Sequence, residues 1–297
     1  LASSVRPAGA PALARKRRSS SQTRRGDVRD PSIVRTFGLT IAAGTFAPPA
    51  PPGWERLIVA TGARAMLRTA RRVFPLVAGG GIWMRAAEPC AIELHERGEL
   101  RIVYVREAPQ SSRPAVTCAV TVSPLLRELV ARAIAHGALD GRIAAERRIA
   151  LVLLDELAAL RPAHLSIPLP GPGLARTVAD RLLADPSLVA GTAELARGAG
   201  CSVRTLERAF ALEVGIGVAA WQRRLRLFLA LGRLALGEPV TGAAFDAGYA
   251  GVSAFIAAFR REFGASPRRF MFDRGAMPPD PPAADSRRSP RAGLGRA

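Results

Sequence analysis

Lysine is almost absent from this 297-residue chain: Lys16 stands alone against 42 arginines. Beside 28 glycines and 24 prolines, that bias reads as the coding signature of a GC-rich genome and accounts for much of the arginine excess. Histidine and cysteine are also scarce, three of each. The widely spaced Cys90, Cys118 and Cys201 give neither a disulfide framework nor a zinc knuckle. No stretch reaches the roughly 18 uninterrupted apolar residues of a membrane helix, because Arg and Glu break every candidate. The first twenty residues are basic but lack the apolar segment of a secretory signal. These absences predict a cytoplasmic chain with no membrane partner.

What is present in excess is positive charge, +19 in all. Residues 1–35 hold nine basic and two acidic side chains, whereas residues 174–270 hold thirteen basic against eight acidic. Charge therefore supports a polyanionic partner without locating it.

Composition divides the chain. Residues 1–35 are rich in Arg, Ser, Ala and Pro, have no apolar period, and are expected to be a disordered tail. The tail is either a phosphate-binding arm or an extension without function. Residues 36–160 form a first domain, with Pro48–Pro52 as a turn. Leu57–Val59, Phe74–Val77 and Leu100–Val105 read as strands, with Gly79–Gly81 as a turn. Such short, regularly spaced strands favour a small barrel or sandwich. Helices are predicted at about 124–136, with Ser123 as N-cap and Pro124 in the first turn, and at about 142–160. Five prolines or glycines in the last six residues of 161–173 mark a linker. Residues 174–272 read as helices at about 174–184, 192–198, 203–214, 218–236, 240–246 and 252–263. Residues 273–297 are again expected to be disordered.

Two segments of the C-terminal part share one design. Thr192–Gly200 leads through Cys201-Ser202 into Val203–Phe210, and Val240–Gly248 leads through Tyr249–Gly251 into Val252–Phe259. Each is a short helix, a Gly able to take positive φ, and a second helix beginning at a small residue. Leu206, Phe210 and Val214 share one face, as do Phe255, Phe259 and Phe263, leaving the opposite face of each second helix free for a major groove.

On these residues the segment 174–272 resembles the DNA-binding region of the AraC/XylS family of transcription regulators. The resemblance is carried by Leu195-Ala196, Ser202, Arg204–Leu206, Arg208, Phe210 and Gly215, then by Trp221–Leu227. It closes on Ala247–Tyr249, Ser253–Phe255, Phe259–Arg261, Phe263-Gly264, Ser266-Pro267 and Phe270. It implies two recognition helices meeting successive major grooves about 34 Å apart. The first presents Arg204, Thr205, Glu207 and Arg208 as base contacts: Arg pairs with two guanine acceptors and Glu accepts from cytosine N4. The second presents Val252, Ser253, Ile256 and Ala257, of which Ser253 is the base-contact candidate. Ser202, Arg223, Arg224, Arg260 and Arg261 are the phosphate-contact candidates.

The stretch Trp54–Leu160, with Ser123–Leu129 and Leu154–Leu157, resembles the cupin-containing members of the family. The fold class expected is therefore α+β: an N-terminal small cupin-like β-barrel with helices, and a C-terminal all-α tandem helix-turn-helix. The resemblance implies duplex DNA as partner; RNA polymerase, a small-molecule effector and a second copy of the chain are further candidates. A metal-binding cupin needs several His and a carboxylate on one ion. Here only His95 lies in the barrel region, beside Glu93 and Glu96, while Cys90 stands where related barrels tend to show His. No metal, cofactor or catalytic residue is expected, which weighs against the rival reading of a cupin-type enzyme with a helical extension. A third reading, a packaging protein using only its basic tails, ignores the tandem motif.

Overall fold

In a computed structural model, the structure describes residues 32–77, 79–108, 112–185 and 190–273. The tail expectations for residues 1–31 and 274–297 lie outside them. Numbered along the chain, the N-terminal elements are β1 (Ser32–Ile41), β2 (Gly44–Phe46), β3 (Trp54–Thr61), β4 (Ala65–Arg68), β5 (Arg72–Leu76), β6 (Gly80–Met84), β7 (Ala91–Leu94), β8 (Gly98–Arg106), β9 (Cys118–Thr121), α1 (Pro124–His136), β10 (Ala138–Asp140), α2 (Ala144–Ala158), β11 (Pro162–Ala163) and β12 (Ile167–Pro168). Then come α3 (Leu174–Ala184), α4 (Thr192–Gly198), α5 (Val203–Val214), α6 (Val218–Ala235), α7 (Val240–Asp246), α8 (Val252–Phe263) and α9 (Pro267–Phe272).

The strands form two antiparallel sheets, seven-stranded in the order β10-β1-β8-β3-β6-β9-β11 and five-stranded in the order β12-β5-β4-β7-β2. The expected small barrel is corrected: the sheets are not closed on each other. Their edges are strands of two or three residues, and Pro162 and Pro168 lack the N–H that would extend pairing. Side chains alternate across the large sheet. Leu100, Ile102 and Tyr104 of β8 join the apolar core that includes the second sheet, while Val103 and Val105 join the cluster of α1 and α2. Both faces are thus covered, so β3 is buried along nearly its whole length, Glu55 and Arg56 included.

Leu57–Val59 and Leu100–Val105 are strands as read, and of the expected Phe74–Val77 the strand takes in Phe74–Leu76. Of Gly79–Gly81 only Gly79 lies in the turn; Gly80 and Gly81 begin β6. A Cβ on Gly81 would meet Leu57 Cδ1 at 3.0 Å and the Ile58 carbonyl at 3.1 Å, so the strands approach too closely for a side chain. Helix α1 has the expected bounds, and Ser123 Oγ accepts from Leu126 N at 2.9 Å. Residues 32–35, assigned to the tail by composition, are strand: Val34 is fully buried and the segment pairs with β8 and β10.

The linker expectation for 161–173 is also corrected. Its residues pair with β9 and β5, closing one end of each sheet, and Leu165, Ile167 and Leu169 are buried. The prolines reflect short edge strands rather than a free tether. From here one apolar core runs on into the helices, through Val178, Leu206, Trp221 and Leu225. The indole Nε1 of Trp221 donates to the Pro168 carbonyl at 2.7 Å, and Arg68 pairs with Asp180 of α3. The six C-terminal helices expected are all present; α9 was not foreseen, although Ser266 before Pro267 is the signal that could have found it.

Candidate nucleic-acid interface

The two helix-turn-helix units are built on the same hydrogen bonds. After α4, Gly200 takes φ 67° and Cys201 N donates to the Ala196 carbonyl at 3.0 Å. After α7, Gly248 takes φ 74° and Tyr249 N donates to the Ala244 carbonyl at 3.1 Å. A left-handed residue reverses the chain at both turns, which is why glycine stands there. The units then differ. Ser202 caps α5, its Oγ accepting from Thr205 N at 3.1 Å, whereas α8 begins at Gly251 with no side-chain cap.

Leu206 and Phe210 of α5 are fully buried, as are Phe255 and Phe259 of α8. Phe210 packs edge-on to Trp221, with ring centroids 5.8 Å apart. Phe259 meets Phe255, Phe263 and Phe270, and Phe263 also meets Phe228 of α6. Each second helix is thereby held by one apolar stripe, aromatic throughout only in α8, with its other face outward.

On the outer face of α5, Arg204, Thr205 and Arg208 are exposed, the two arginines one turn apart. Neither arginine has an ion-pair partner among the described residues. The Thr205 hydroxyl lies 2.8 Å from Ser202 Oγ, so these two candidates are joined at the cap. Glu207 departs from expectation. It is half-buried, and its Oε2 accepts from Val218 N, the first residue of α6, at 3.2 Å. A carboxylate there meets the positive end of the helix dipole, so Glu207 is turned to the protein and not to solvent.

On α8, Ser253 and Ala257 are exposed, whereas Val252 and Ile256 are half-buried against the core. Among the phosphate candidates, Arg260 and Arg261 are exposed in the last turn of α8. Arg224 is corrected: its Nε lies 2.6 Å from Glu262 Oε1 and its guanidinium sits 5.7 Å from the Phe228 ring centroid, so it braces α6 on α8. Arg223, Arg226 and Arg261 gather around Tyr249, which sequence reasoning had not singled out as a site residue. Burial pushes its phenol upward while these arginines pull it back, and its hydroxyl has no hydrogen-bond partner among the described residues.

Among the described residues no three of His, Cys, Asp and Glu gather as metal ligands, and no helix is long and apolar enough to cross a membrane. His95 is exposed and lines a cleft against α6; His136 Nδ1 lies 3.7 Å from Glu146. Cys90 is buried, and burial pushes its thiol up, away from the thiolate a nucleophile needs, with Arg56 opposing.

A family model described as "Helix-turn-helix domain" matches residues 195–271. The HTH-type transcriptional regulator NimR of Escherichia coli is 26% identical over 190 residues, 64% of this chain and 69% of that protein. The HTH-type transcriptional regulator RipA of Corynebacterium glutamicum is 36% identical over 103 residues, 35% of this chain and 31% of that protein. Among solved structures, unsaturated fatty acid bound ToxT from Vibrio cholerae aligns over 83% of this chain and 97% of its own, at 10% identity and a TM-score of 0.34. The relatives matched by sequence are transcription regulators, and residues 195–271 of this chain match a helix-turn-helix domain.

Proposed function

We propose that the chain is a sequence-specific DNA-binding transcription regulator, with residues 174–272 reading duplex DNA and residues 36–160 serving effector binding and dimerisation. The observation that carries this reading is the pair Arg204 and Arg208, exposed one turn apart on a helix whose opposite face is locked by Leu206 and Phe210. Two guanidiniums in that position are free to bond base edges. Arg204→Ala or Arg208→Ala should cost roughly 1–3 kcal/mol on a selected operator and relax the preference at one base position. Arg260→Ala should instead weaken all sequences alike and lower the salt slope by about one unit. Gel shifts with random competitor, single-base variants and a salt titration measure both. Base substitutions under the second unit as costly as those under the first would overturn this division.

Glu207 is assigned to positioning and not to cytosine readout. Glu207→Ala should leave base preferences unchanged while lowering stability by about 0.5–2 kcal/mol, the range of a lost helix cap. A shifted preference at one base pair in the same binding-site selection would return Glu207 to the groove.

The outer surface of the α1–α2 layer carries exposed Leu125, Ile143, Leu151 and Val152, while Ala150, Leu153 and Leu157 of α2 are buried beneath. A second copy of the chain is the occupant proposed, since pairing through this layer would cover these exposed apolar side chains. Sedimentation of the full chain should show a dimer that Leu151→Glu/Val152→Glu dissociates; a strictly monomeric parent at micromolar concentration contradicts it. RNA polymerase is the further partner this reading proposes.

A further inference from the structure

We propose that Tyr249, with Arg223, Arg226 and Arg261 around it, clamps one phosphate of the duplex backbone at the second helix-turn-helix unit. The inference rests on the DNA-binding reading of residues 174–272 and adds Tyr249 and Arg226 to its contacts. Tyr249 follows the positive-φ Gly248 in the turn between α7 and α8, and its ring packs edge-on to Phe255 with centroids 5.5 Å apart. That packing fixes the ring and makes no use of the hydroxyl. The hydroxyl is shut off from solvent yet meets no hydrogen-bond partner among the described residues. Beside it, the Arg226 guanidinium lies 5.9 Å from the ring centroid, and its Nε is also buried without a partner. A buried donor without an acceptor is costly, and two of them on adjacent side chains are satisfied together by one ligand with several acceptor oxygens. The groups around the hydroxyl include arginine side chains, whose flexible stems let such a ligand reach both donors.

Charge chooses the ligand. Arg223 and Arg226 stand one turn apart on α6, and Arg261 approaches Tyr249 from the last turn of α8. None of the three has an ion-pair partner among the described residues. Glu262, a carboxylate whose charge also reaches Tyr249, lies 2.6 Å from the Nε of Arg224 and is taken up by that pair. Three unpaired cations around a neutral donor fit a phosphate diester, which brings a full negative charge and oxygens that accept from more than one donor. Duplex DNA is the source the fold favours. Ser253, Ala257 and Arg261 recur at four-residue steps along the exposed face of α8, so the cluster borders the surface offered to the groove. In the first unit Cys201 stands where Tyr249 stands in the second, each N–H closing the same turn. A thiol is only a weak donor, so the clamp belongs to the second unit and gives it grip without base preference.

The full chain is tested by gel shift on a selected operator, using duplexes that carry an uncharged methylphosphonate at one backbone position at a time. Tyr249→Phe keeps the ring and loses only the hydroxyl; it should weaken binding about tenfold on every sequence and leave the salt slope unchanged. Arg226→Gln should weaken binding on every sequence and lower the slope by about one unit. One methylphosphonate position should weaken the parent several-fold and cost the Tyr249→Phe/Arg226→Gln variant nothing more, because the contact is already gone. Unchanged affinity in Tyr249→Phe, or methylphosphonate losses that add to those of the double variant at every position, overturns the clamp. So does submillimolar calorimetric binding of inorganic phosphate to the DNA-free chain, which would make this the site of a free anion. Should Arg226→Gln fail to fold, Tyr249→Phe and the methylphosphonate series run on it still decide. A parent that shifts no DNA fails both readings, whereas a parent that does, with variants indistinguishable from it, fails the clamp alone.

Discussion

Trp221→Ala should lower unfolding stability by about 3–5 kcal/mol, the range for removing a fully buried aromatic side chain. The residue is 0% exposed at the start of α6, packs against Phe210 of the first recognition helix, and bonds Pro168 of β12. One side chain therefore joins the sandwich, the long helix and the helix that reads DNA. Trp221→Phe separates the contributions. It keeps most of the apolar volume but leaves the Pro168 carbonyl without its donor, at a cost of about 1–3 kcal/mol. Urea unfolding midpoints of the two variants make the measurement. A loss under 1 kcal/mol for Trp221→Ala would mean that the indole is not the junction the geometry describes.

A second large effect is expected at Glu55. Its carboxylate is fully buried on the helix-facing side of β3 and meets two guanidiniums, Arg85 and Arg113. The Arg113 contact, at 2.9 Å, is off hydrogen-bond geometry and acts as an ion pair. Arg113 itself is nearly buried, 5.6 Å from the Trp83 ring centroid. Burial, helped by Arg85, holds the Arg113 guanidinium below the usual arginine value, with Glu107 opposing. Glu55→Ala strands that cation in the interior and should cost about 3–5 kcal/mol. Adding Arg113→Leu to Glu55→Ala should recover part of the loss, because the unpaired charge goes with it. Thermal or urea unfolding of the single and double variants checks both; a double variant no more stable than Glu55→Ala would show that packing and not charge sets the cost.

The C-terminal half was legible in the sequence because its information is local. Helix periodicity, a glycine at each turn and a Ser cap fix α4–α5 and α7–α8 within a few residues of the chain, and the observed bounds follow them. What the sequence could not assign were side chains whose partners are distant along the chain. Glu207 shares the exposed helix surface by periodicity, yet its acceptor role is set by Val218, eleven residues on. Arg224 looks like a phosphate contact until Glu262 of α8 comes within 2.6 Å.

The N-terminal half shows the same division more sharply. Alternation and turn residues disclosed strands, but a strand with both faces covered has no polar face, so charge was no guide to Glu55 and Arg56. Proline and glycine at 161–173 signalled a loop locally; pairing with β9 and β5 was decided by sheet edges built from residues far back in the chain. The sequence by itself determined the helices, their turns and which faces of them are apolar, since these follow from backbone preferences over one or two turns. Only the tertiary structure decided which charges are spent on holding the protein together and which remain for a ligand, because an ion pair depends on distance in space and not on separation along the chain.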